Sequence, residues 1–166
     1  MGFLPIPSDD DLAPEARAAA AAFLAEHGGE LTPLDRALLS AAPAFDGYLG
    51  WFRLRDELVP FLGERAVALF GHAISQGLGA PFCVDYFRGL LTEAGDDPDA
   101  PQVTEAEALL IAWGRAIGAT PAAVPADLLD RVAATFQPRL RALLTAWAGL
   151  MVAVGVFTLV GGVAAD

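Results

Sequence analysis

A single cysteine, Cys83, is all the thiol chemistry this chain of 166 residues contains. A disulfide framework is therefore excluded, and a lone thiol fits a reducing compartment. Histidine is nearly as scarce, with only His27 and His72 present. Two histidines and one cysteine without ligand spacing build no zinc site, so no metal is expected. Positive charge is also in short supply: 10 Lys and Arg face 21 Asp and Glu, for a net charge of −11. Nucleic acids and anionic membrane surfaces both require clustered basic side chains, so neither is expected as a partner. The glycines match no phosphate-binding loop, and no cofactor is expected. The opening Met1-Gly2-Phe3-Leu4-Pro5-Ile6-Pro7 has neither a basic stretch nor a long apolar run. It does not read as a signal peptide, and a cytoplasmic location is expected.

What the chain does have is apolar residues, at 55% of the total. That is ample for a core, and the length suits one domain. Alanine dominates and β-branched residues are scattered, which favours helices over sheet. Asp10 or Asp11 reads as the cap of a first helix that has Pro14 near its start and ends at Gly28-Gly29. Thr32-Pro33-Leu34-Asp35 is a second start signal, with a cap residue, a first-turn proline and an acid at the positive end of the dipole.

After Pro43, a helix carrying Phe45, Tyr48, Leu49, Phe52 and Leu54 is expected to run to about Leu58, broken by Pro60 and Gly63. Glu64 to Gln76 follows, with Val67, Phe70 and Ile74 on one face. Pro81 opens a helix to Ala94, and an acidic, proline-containing loop covers 95–101. Thr104 with Glu107 spells a capping box, Val124-Pro125 leads into another helix, and Pro138 starts the last. No strand alternation of useful length occurs. The expected fold is all-α with six to eight helices, residues 1–30 forming an N-terminal extension to a core at 31–165.

The final helix carries no charge from Ala142 to Ala165, long enough to span a bilayer. Gly149 and Ala153 give the small-xxx-small spacing of close-packed membrane helices. Against that, Gly155, Gly161 and Gly162 dilute its hydrophobicity and no basic cluster anchors its far end. A helix buried inside a larger soluble assembly is the expectation here.

Cys83 lies two residues after Pro81, in the first turn of a helix, where converging N–H groups favour a thiolate. His72 sits on the preceding helix, joined by a short turn, and is the candidate base for that thiol. Glu64, eight residues before His72, shares roughly its face. It is a candidate acid or base, or simply a first-turn acid favoured by the dipole. Tyr86, one turn after Cys83, is a candidate to point its hydroxyl into the same cavity. Each also has a plain structural reading: a buried inert thiol, a helix histidine without a role, a core tyrosine. Trp51, Trp113 and Trp147 read as packing residues, and His27 as a partner of a helix C-terminus.

Two stretches carry a family resemblance. The first is Pro81-Phe82-Cys83-Val84-Asp85-Tyr86-Phe87-Arg88, running on to Glu93-Ala94-Gly95-Asp96-Asp97-Pro98-Asp99. The second is Leu109-Leu110-Ile111-Ala112-Trp113-Gly114-Arg115-Ala116-Ile117, followed by Val124-Pro125-Ala126-Asp127-Leu128 and Ala148-Gly149-Leu150-Met151-Val152-Ala153. Over roughly residues 30–165 the chain resembles the carboxymuconolactone decarboxylase family, which includes the alkylhydroperoxidase-D-like proteins. The resemblance implies an all-helical fold assembled into trimers or hexamers.

It also implies a thiol peroxidase site, whose pattern this chain departs from. Peroxidatic members have two cysteines separated by two residues, a histidine four positions after the second, and an acid twelve positions before the first. Here those positions hold Ala80, Cys83, Phe87 and Ala68. Where relatives carry polar residues near the C-terminus, this chain has Val154-Gly155-Val156-Phe157-Thr158. Three functions are therefore weighed. One is a one-cysteine peroxidase in which Cys83 is oxidised and then reduced by an external thiol. Another is a cofactor-free lyase or isomerase on a small carboxylated lactone, with His72, Arg88 and Arg115 as proton donors or carboxylate holders. The third is a non-catalytic, oligomeric or small-molecule-binding member.

Overall fold

Local side-chain chemistry sets where most of the helices begin. Thr32 Oγ1 accepts from the Asp35 N–H at 3.2 Å, and Asp35 Oδ2 accepts from the Thr32 N–H at 2.9 Å. Thr104 and Glu107 repeat the reciprocal pair at 3.3 and 2.8 Å. Each such cap satisfies N–H groups that a helix start leaves free, a contribution of about 1 kcal/mol. Prolines in the first turns at Pro14, Pro33, Pro43, Pro81 and Pro138 lose nothing there, because those N–H groups have no helical partner anyway.

The computed structural model describes residues 3–164. Among them every regular element is helical: α1 (Pro14–His27), α2 (Pro33–Leu38), α3 (Ala42–Phe52), α4 (Leu54–Leu62), α5 (Glu64–Leu78), α6 (Pro81–Glu93), α7 (Glu105–Ala119), α8 (Ala126–Thr135) and α9 (Pro138–Gly161). Eight of these have nine residues or more, and α2 is a six-residue piece. The fold is all-α, as the composition and periodicity indicate.

Two local expectations are corrected. Asp10 and Asp11 do not cap α1. Asp9–Asp11 form a 3-10 turn of their own, and α1 starts after Ala13 with no side-chain cap. Nor does Pro60 end a helix: α4 runs through it to Leu62, and the break falls earlier, at Arg53 between α3 and α4. A proline in a helix this short forfeits one backbone bond, here to the Asp56 carbonyl, and packing of the buried Leu58 holds the turn.

The core is organised around α5, in which every residue from Ala66 to Ser75 is buried. A helix buried all round needs neighbours on every side, and α5 has α4, α6, α7 and α9. Its closest neighbour is α7. A methyl group at Gly118 would overlap the Ile74 carbonyl oxygen, and one at Gly77 would overlap that of Arg115. The two backbones thus approach as only glycine permits. Phe70 and Trp113 tilt against each other across the seam, ring centres 5.4 Å apart.

The loop between α6 and α7 is held by arginines. Arg65 donates to Asp96 at 2.6 and 3.0 Å, to the Gln102 carbonyl at 2.7 Å, and to Glu107. Arg88 grips Asp99 with two bonds of 2.6 and 2.9 Å.

The last helix, α9, is 24 residues and so about 36 Å long, with a mean hydropathy of 2.2 over its most apolar window. It is the one helix among the described residues long and apolar enough to cross a membrane. Leu144, Trp147, Ala148, Met151 and Val154 bury its inner face against the other helices. Its outer face, through Gly149, Ala153, Val156, Leu159 and Val160, is exposed and uncharged.

Candidate functional site

Cys83 occupies the third position of α6 and is 5% exposed. Its Sγ lies 4.0 Å from Thr158 Oγ1 on α9. The Thr158 hydroxyl already donates to the Gly155 carbonyl at 2.9 Å, so it has little to offer a thiolate. Burial pushes the thiol up from its ordinary value, and the Thr158 contact offsets only part of that. The thiol is therefore neutral near pH 7, the opposite of the low-pKa environment that marks a reactive cysteine.

What Cys83 does contribute to is a cavity of about 260 Å³. It lies between α1, α2 and α3 on one side and α6 and α9 on the other. Its walls are rich in aromatic rings: Phe23, Tyr48, Phe52, Phe82, Tyr86 and Phe87. Leu34, Leu49, Met151 and Val154 complete the apolar lining, and His27, Glu30, Thr32 and Asp35 bring polar atoms to one end. The chain has ten arginines and no lysine, and no arginine lines this cavity. Tyr48 is held strongly in its neutral form, first by burial and then by the charge of Asp35.

The other expected site residues lie elsewhere. His72 is 4% exposed and shares no cavity with Cys83. It faces the α6–α7 loop, in a hollow of about 70 Å³ with Gln76, Asp99 and Arg115. The expectation that His72 acts as a base toward Cys83 is not met, and helix geometry gives the reason. Gly71 faces α6, since a methyl group there would overlap the Phe87 ring. The next residue is turned about 100° away. Burial and the positive charges of Arg88 and Arg115 lower the His72 pKa, partly offset by Asp99. Its Nε2 is buried without a hydrogen-bond partner among the described residues.

Glu64 begins α5 with a side chain 73% exposed, 3.5 Å from Arg55 Nη2. It lines an adjoining cavity of about 280 Å³ with Arg55, Ala68, Tyr86, Phe87 and Trp147. Glu64 and His72 are thus not brought together. Tyr86, 44% exposed, does share the Cys83 cavity and stands at the wall between it and the Glu64 cavity. Its ring meets Phe87 edge-on at 5.2 Å. Ala80 is fully buried and packs toward Gly155.

Asp35, Tyr48 and His27 are the cavity residues that sequence reasoning read as structural. Asp35 has a capping role, Tyr48 belongs to an apolar helix face, and His27 ends a helix. Each reading fits its own helix, and only the packing of α1–α3 on α6 brings the three together.

The chain matches no family model and no curated protein.

Proposed function

We propose that this protein is a non-catalytic, small-molecule-binding member of the all-helical group it resembles, taking a largely apolar ligand into the Cys83 cavity. The observation that carries this reading is the cavity itself. At about 260 Å³ it is close to the smallest volumes usual for ligand sites, roughly 300 Å³, and combines aromatic walls with polar atoms at one end. The thiol peroxidase expectation has less support, because burial raises the Cys83 thiol and no imidazole or arginine in contact lowers it. A lyase acting on a carboxylated lactone has less still, because no arginine lines the cavity to receive the carboxylate.

A homo-oligomer belongs to the same proposal. The uncharged outer face of α9, with Val156, Leu159 and Val160 exposed, is the surface an assembly of like chains would cover.

Titration with N-phenyl-1-naphthylamine, a neutral fluorescent probe, tests the binding reading. Saturable, one-to-one binding by the native chain is expected, weakened in Cys83→Leu with helix content unchanged. No saturable binding by the native chain overturns it. In a parallel peroxide-turnover assay, consumption above background that disappears in Cys83→Ser would replace it with the peroxidase.

A further inference from the structure

The Cys83 cavity contains two carboxylates and no arginine. Glu30 stands at its exposed end, whereas Asp35 is only 5% exposed. Both hydrogen bonds that the Asp35 carboxylate accepts, from the Thr32 N–H at 2.9 Å and the Thr32 hydroxyl at 2.7 Å, go to Oδ2. Oδ1 accepts none among the described residues, and Asp35 is part of the cavity lining. A nearly buried carboxylate with one oxygen unpaired, on the wall of a ligand-sized space, is a poor host for anions and a good one for a hydrogen-bonding cation.

The rest of the wall agrees. Phe23, Tyr48, Phe52, Phe82 and Tyr86 are part of the lining, and the face of an aromatic ring attracts ammonium groups and repels carboxylates. The charge of Asp35 is felt at both phenols, adding to the effect of burial on Tyr48 and Tyr86. Arg55 is a positive charge felt at Tyr86, where it opposes Asp35. It lies across Tyr86 in the adjoining cavity, within 3.5 Å of Glu64 and 3.8 Å of Asp56. His27 is the one basic group on the wall itself. A net charge of −11 further concentrates cations near the surface.

We infer that the ligand of this cavity is an organic amine, an ammonium group on an apolar body, with the ammonium at Asp35 Oδ1 and the body among the aromatic rings. The inference rests on the binding reading above and narrows it from any apolar molecule to one charge class. No covalent step is involved.

Three probes of nearly equal size separate the alternatives at about pH 8, where the first is an ammonium ion and the last a carboxylate. They are 3-phenylpropylamine, 3-phenylpropan-1-ol and 3-phenylpropanoate, each titrated calorimetrically into the full chain. The ammonium is expected to bind about ten-fold tighter than the alcohol, and the carboxylate about ten-fold weaker, the scale of one charge-assisted hydrogen bond. In Asp35→Asn, whose amide oxygen still accepts from Thr32, the preference for ammonium over alcohol should fall below about three-fold while the alcohol's affinity holds. Because the alcohol reports the fold of the cavity, a purely structural role for Asp35 would weaken both probes together. Glu30→Gln, on the exposed rim, is the second variant and should reduce the preference by about two-fold. Equal binding of ammonium and alcohol, or tighter binding of the carboxylate, overturns the amine and leaves the cavity reading standing. Failure of all three probes to bind removes both.

Discussion

The ring of Phe87 on α6 lies against Gly71 on α5 so closely that a single added methyl group would overlap it. The Phe87 ring fills the space between the two helices at this point. Gly71→Ala should therefore destabilise the fold by about 1–3 kcal/mol through overpacking, measured by denaturant unfolding. Phe87→Leu in the same chain should return part of the loss, and the double-mutant cycle reads the coupling.

Cys83 should react as a buried thiol. Labelling by an aromatic disulfide reagent at neutral pH is expected to be slow and to accelerate on unfolding by orders of magnitude. The rate should climb with pH beyond the ordinary thiol range, since burial raises the Cys83 pKa from 9.0. A fast reaction with a midpoint below neutrality would contradict the packing described above.

His72 predicts an acid sensitivity with a definite sign. Its folded pKa is lowered from 6.5 by burial, then by Arg88 and Arg115, with Asp99 opposing. The unfolded chain therefore takes up a proton before the folded one does. The His72 contribution is fully present above about pH 6.5 and is lost as the pH falls from there through the folded value. Melting temperatures between about pH 7 and pH 5 should fall for the native chain and flatten in His72→Gln. A native profile that is already flat would contradict the lowered His72 pKa.

The outer face of α9 predicts the state of assembly. Sedimentation should show a multimer for the native chain, and Val156→Asp on the exposed face should reduce it to a monomer with helix content intact. A native monomer, or a chain that leaves solution without detergent, would sink the like-chain assembly.

How much was legible in the sequence depended on how local the cause was. Thr32 with Asp35, Thr104 with Glu107, and the first-turn prolines announce helix starts, because caps act over three or four residues. The break at Arg53 and the passage of α4 through Pro60 were not legible: packing of Leu58 and its neighbours outweighs one missing backbone bond. The direction of His72 was out of reach for a similar reason. Position on a helix gives a face, but only the seating of Phe87 on Gly71 says which face meets α6. The Cys83 cavity joins α1 to α3 with α6 and α9, elements more than fifty residues apart in places, so no short motif marks it.

Between α5 and α7 the main chains touch at Gly77 and Gly118 with no side chain in between. Such a seam cannot slide or widen by rotamer changes, and the two helices behave as one stiff plank. Neither of them lines the Cys83 chamber, which is bounded instead by α1 to α3 and by α6 and α9. On its N-terminal side α1 and α3 are joined through Phe23 and Phe45, which meet edge-on at 5.5 Å. That side is held by side-chain packing, where the plank is held by main chain against main chain.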